Sequence, residues 1–118
     1  MYVKTTDLLE GKKDHVLHLL DALSRDRRER GALLYQLRDC LEVLLAGRDE
    51  LCSHGVRAVL GRACGEVKRE NASARAGLHH LIIARDEDKA FLAAVRELRD
   101  VLVHMRALGV SASRRVAA

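Results

Sequence analysis

Proline and tryptophan are absent from this chain, and its other aromatics are only Tyr2, Tyr35 and Phe91. Each shortage excludes something. Without proline, nothing in the covalent backbone interrupts a helical hydrogen-bond ladder. So few rings cannot build the row of stacking platforms that grips single-stranded nucleic acid, and the core has to be aliphatic. Cysteine is limited to Cys40, Cys52 and Cys64, an odd set that makes no disulfide framework. No CxxC or HxxxH spacing is present, so no metal is expected. The adjacent pair His79-His80 points two ways on a helix and makes no ligand pair, one ring edging the core and the other meeting solvent. The longest apolar runs, such as LHHLIIA at residues 78 to 84, are far too short to cross a bilayer. The first residues, MYVKTTDLLEGKK, lack the basic leader and apolar run of a secretory signal. The chain is therefore expected to be intracellular and cytoplasmic, with no membrane partner and no cofactor.

What is present is helix-forming. Leu, Ala, Arg and Glu dominate 118 residues that are 48% hydrophobic, enough for one buried core. Leu9, Val16, Leu20 and Leu23 recur at helical spacing, with a start expected at Asp7. The polar stretch SRDRRERG, residues 24 to 31, reads as a connector, and the Asp26-x-x-Glu29 pattern sets a new start there. Leu33, Leu34, Leu37, Cys40, Leu41, Leu44 and Leu45 form one wide stripe, with Gly47 as the expected stop and Asp49 as the next cap. Further helices are expected over 49 to 70, broken near Ser53-His54-Gly55, and over 72 to 84 after a start at Asn71 or Ser73. The last, capped by Asp86 or Asp88, carries Phe91, Val95, Leu98, Leu102 and Met105 to Gly109. Short connections favour antiparallel neighbours. The predicted fold is all-α, an up-and-down bundle of four to five helices filling residues 1 to 110, with a loose basic tail over 111 to 118.

Charge is mixed along the chain, and 21 Lys and Arg against 17 Asp and Glu leave a formal +4. That permits acidic or phosphate-bearing partners without requiring them. Two basic surfaces stand out. Arg57, Arg62, Lys68 and Arg69 share the polar side of their helix with Ala58, Gly61 and Gly65. Glycine inside a helix costs about 1 kcal/mol relative to alanine, and small residues between arginines would let a helix or a phosphate backbone come close. This is the candidate binding face. Arg25, Arg27, Arg28 and Arg30 form a secondary basic cluster.

RELRDVLVHMRALG, residues 96 to 109, carries the motif closest to chemistry. Arg99 and His104 resemble the Arg-x4–6-His motif of HEPN-domain proteins, all-helical bundles that include ribonucleases and toxins. The resemblance is local to these residues. It implies RNA cleavage at a dimer cleft, with His104 as acid or base and Arg99 stabilising phosphate charge. RELRDV also resembles the phosphoacceptor box of one class of sensor histidine kinases, but Arg99 stands where the phosphoacceptor histidine would be. Arg48…His54 and Arg75…His80 repeat the Arg–His spacing, and random placement of this composition yields about two such pairs. On an unbroken helix Arg99 and His104 lie about 140° apart.

The leading expectation is accordingly a non-catalytic binding module working through helix faces, by self-association or as a subunit or adaptor of a larger assembly. A homo-oligomer or a protein partner is expected. The alternatives are a basic bundle that grips duplex RNA or DNA through phosphates, using Arg25–Arg30, the Arg62 face and Arg114-Arg115, and a metal-independent HEPN-like ribonuclease. A death-fold adaptor matches in size and helix number alone.

Overall fold

A computed structural model describes residues 2–53 and 63–106. Within them the chain forms four helices and no strand: α1 Tyr2–Arg25, α2 Arg30–Ser53, α3 Ala63–Ile83 and α4 Asp88–Val103. α1 packs on α2 and α4, and α3 packs on the same two, so the four close into a ring. Both described links are four-residue turns, and they reverse the chain. Leu9 near the start of α1 lies against Gly47 late in α2. At the opposite end Arg27 and Arg30 meet Asp88 at the start of α4. The result is the expected all-α up-and-down bundle.

The apolar stripes meet inside. Val16, Leu19, Leu20 and Leu23 of α1 join Leu37, Leu41, Leu44 and Leu45 of α2, Ala74, Leu78 and Leu81 of α3, and Phe91, Val95, Leu98 and Leu102 of α4. Met105, beyond the last helix, is still buried among them. Among the described residues Phe91 is the one aromatic in this core, and it is fully buried. A second, smaller cluster of Leu51, Cys52, Cys64 and Val67 closes the end where α2 stops and α3 begins.

Several expected boundaries moved. α1 begins at Tyr2, not Asp7. Asp26 does mark the break after it, but through a turn: its Oδ1 accepts the backbone N–H of Arg28 at 3.0 Å and of Glu29 at 3.2 Å. Gly47 does not end α2, which runs on to Ser53. A Cβ at Gly47 would sit 2.5 Å from Leu9 Cδ2, so the glycine leaves room for the Leu9 side chain of α1. Asn71 and Ser73 start nothing; α3 passes straight through them. The cap of α4 is neither Asp86 nor Asp88 but Glu87, whose Oε2 accepts from Ala90 N at 2.7 Å. That helix ends at Val103, short of Gly109. The expected tail lies outside the described residues. Among those residues no helix is long and apolar enough to cross a membrane.

Candidate functional site

Two polar constructions stand at opposite ends of the bundle. The first is buried. Among the described residues Arg48 of α2 and Asn71 of α3 are the buried polar residues, 3% and 0% exposed. Arg48 donates from Nε to Asn71 Oδ1 at 3.0 Å, from one terminal nitrogen to the Arg106 carbonyl at 2.9 Å, and from the other to Glu70. Asn71 Nδ2 donates to the Leu45 carbonyl at 3.1 Å and to Asp49 Oδ1 at 2.8 Å. Asp49 also takes Arg75 at 3.1 Å. Expected as a helix cap, Asp49 is instead a link between α2 and α3. Burial pushes the Arg48 guanidinium below its ordinary value, opposed by the charge and hydrogen bond of Glu70. Every polar atom here is spoken for by the protein itself, so this end is a staple.

The neighbouring cysteines are equally closed. Cys52 and Cys64 are both buried, and all three cysteines are free thiols. Burial, then the hydrogen bond and charge of Cys64, push the Cys52 thiol from about 9 up to about 12. A thiol held protonated at neutral pH is a poor nucleophile and a poor metal ligand. No cluster of His, Cys, Asp or Glu suited to a metal exists among the described residues. His79 and His80 are both exposed. The expectation that one would edge the core is corrected, because Leu78 and Leu81 on either side already fill α3's inward face.

The second construction opens to solvent. At the far end the α1–α2 turn meets the α3–α4 turn. Arg30 lies over the Phe91 ring, 4.0 Å from its centroid, and donates to the Arg85 carbonyl at 2.9 Å and to Asp88 Oδ1 at 3.0 Å. Its Nε is buried with no partner. Asp88 Oδ2 holds Arg27 at 2.8 Å. Along this seam between α2 and the end of α3 runs a groove of about 570 Å³. Its lining includes Leu34, Tyr35 and Ile82, with Gly31 beside them, and the guanidinium-bearing residues Arg27, Arg30, Arg38 and Arg85 against the single carboxylate of Asp86. Arg38 lies 5.6 Å from the centre of the Tyr35 ring, and Tyr35 is 64% exposed. Among the described residues Arg38 and Arg85 hold no ion pair, whereas Arg27 and Arg30 share Asp88.

The expected site residues are dispersed. Arg99 reaches across to α1 and pairs with Asp21 Oδ1 at 3.3 Å. His104 caps α4, where its Nδ1 lies 2.8 Å from the Asp100 carbonyl; a carbonyl only accepts, so that nitrogen carries the proton. Within one chain the two are not brought together. His104 instead shares a shallow 360 Å³ hollow with Arg69, Glu66, Glu70 and Ser73. Of the expected binding face, Arg57, Ala58, Gly61 and Arg62 lie outside the described residues. Gly65, Lys68 and Arg69 are exposed, and a Cβ on Gly65 would meet only Arg69 Nη1, at 4.0 Å, an ordinary van der Waals contact. The secondary cluster divides: Arg27 and Arg30 join the groove, Arg28 is exposed in the turn, and Arg25 donates to the Asp21 carbonyl.

The sequence pattern passed over Arg38, Arg85, Arg48 and Asn71. Two of these had a signal. Asn71 stands in the register Cys64, Val67, Asn71, Ala74, Leu78, Leu81, and Arg48 continues the stripe of Leu41, Leu44 and Leu45. A polar residue in an apolar register is a buried group needing partners. Arg38 shares the face of Gly31 and Tyr35, but nothing in the sequence brings Arg85 beside them.

The fold and groove thus define an all-α bundle, of four helices among the described residues, with a basic, partly apolar cleft at one end. No family model matches the chain, and neither a curated protein nor a solved structure shows significant similarity to it.

Proposed function

We propose that this chain is a non-catalytic binding module whose docking site is the groove between α2 and α3, and that the occupant is an acidic amphipathic segment of a protein partner. The observation that carries this is the pairing of an apolar floor, Leu34 and Ile82, with a rim of arginines that includes the unpaired Arg38 and Arg85. A helix or extended segment with one apolar face and flanking acids would bury its apolar side and satisfy that rim. A duplex backbone is convex and has no apolar ridge to offer such a floor. Catalysis needs a preorganised cluster, and Arg99 and His104 lie on different seams.

The test is a titration followed by amide resonances, with a synthetic Leu/Glu amphipathic peptide and an RNA duplex as probes. The peptide is expected to move Gly31, Tyr35, Arg38, Ile82 and Arg85, and Arg38→Glu with Arg85→Glu is expected to abolish the effect. Duplex binding with a steep salt dependence, centred on Lys68 and Arg69, would replace this reading with the phosphate-backbone one. RNA cleavage that survives chelator and is lost in His104→Ala would replace it with the ribonuclease.

A further inference from the structure

We infer that the group this groove is built to read is a phosphate monoester on an apolar stem, a phosphorylated side chain of the docked segment. The inference rests on the docking reading above and gives it a regulator. Asp88 shows what one carboxylate does at this end of the bundle: its two oxygens take Arg27 at 2.8 Å and Arg30 at 3.0 Å, one guanidinium each. Arg30 is committed further, to the Arg85 carbonyl and the Phe91 face. Arg38 and Arg85 remain without an ion pair, with the exposed nitrogens of Arg27 beside them in the same groove. The arginines that line the groove come from three elements, Arg38 from α2, Arg27 from the α1–α2 turn and Arg85 from the α3–α4 turn. A planar carboxylate presents two oxygens in one plane and, as Asp88 does, reaches two guanidinium groups. A phosphate monoester presents three oxygens on a tetrahedral centre and nearly two charges at neutral pH, which suits several donors from several directions. The stem follows from the floor. Leu34, Ile82 and Tyr35 line the same groove as the arginines, so a ligand that fills the groove carries carbon beside its phosphate.

The experiment uses the whole chain and three small probes, with amide and Arg Nε resonances as the readout: phenyl phosphate, benzoate and inorganic phosphate. Phenyl phosphate is expected to move the Gly31, Arg38, Ile82 and Arg85 signals and to bind at least about fivefold more tightly than benzoate. Its affinity is expected to rise between pH 5.5 and 7.5, because the second phosphate ionisation lies near 6, while that of benzoate stays flat. Arg38→Ala with Arg85→Ala is expected to remove the difference between the two. If benzoate binds as well as phenyl phosphate, the phosphate inference fails while the docking reading stands. Inorganic phosphate binding as tightly as phenyl phosphate would show that the floor contributes nothing and overturn the stem. Should no probe move the groove signals, the phosphate inference falls, while the docking reading stands or falls by the peptide titration above.

Discussion

Arg48 shows how a single side chain organises one end of the molecule. It is a charge in the core, and removing a charge from water costs several kcal/mol unless its partners are complete. Here Asn71, Glu70 and the Arg106 carbonyl complete it. Arg48→Ala is expected to destabilise by about 3–5 kcal/mol, because it leaves Asn71 and Glu70 facing a gap. Arg48→Leu combined with Asn71→Leu should recover part of that loss, since an apolar pair needs no partners. Thermal unfolding of the three proteins measures both effects. Cys52 makes a pH prediction. Its thiol sits near 12 in the folded chain against about 9 ordinarily, so the unfolded chain ionises first as pH rises. The stabilisation is whole below pH 9 and is lost between about 9 and about 12. Denaturant melts across that window are expected to fall less steeply in Cys52→Val than in the parent. At pH 8 iodoacetamide should label the half-buried Cys40 well before Cys52.

At the scale of the helix, periodicity read well and punctuation read poorly. The stripes of α1, α2 and α4 were visible because burial on one side imposes a 3.6-residue repeat on any amphipathic helix. Gly47, Asn71 and Asp49 were misread for one shared reason. Each is a residue type that ends or caps helices when it is exposed, and each here answers to a neighbouring helix instead. Two other glycines separate the cases by experiment. Gly11 is exposed within α1 and a Cβ there meets nothing within 4 Å. Gly11→Ala is expected to stabilise the protein by about 0.5–1 kcal/mol through helix propensity alone. Gly77 is buried in α3, where a Cβ would lie 3.1 Å from Leu98 Cδ1 and 3.6 Å from Leu98 Cα. Gly77→Val is expected to cost about 1–3 kcal/mol by pushing α4 away. Opposite shifts in melting temperature would establish that one glycine is tolerated and the other required.

At the scale of the molecule, the two ends divide the work. One is locked by a saturated polar network and buried thiols; the other presents arginines whose hydrogen-bonding capacity is only partly used. If Arg38 and Arg85 are there to bind, they owe nothing to folding. The double variant Arg38→Ala with Arg85→Ala is expected to melt within about 0.5 kcal/mol of the parent, as surface changes do, while losing its ligand. A large loss of stability would make the pair structural instead. Composition and local pattern suffice to make the chain all-helical, to give it a leucine-rich core and to break it at Asp26. Those properties follow from composition and from a period carried by neighbouring residues. The same local pattern places Arg27 and Arg30 in a basic cluster. It takes the packing of helices to put Arg38 and Arg85, 47 positions apart in the sequence, in one groove, to bury Arg48, and to give Arg99 and His104 different neighbours. Helix periodicity sets which side of a helix is wet. The order in which helices pack around the ring sets which wet sides meet.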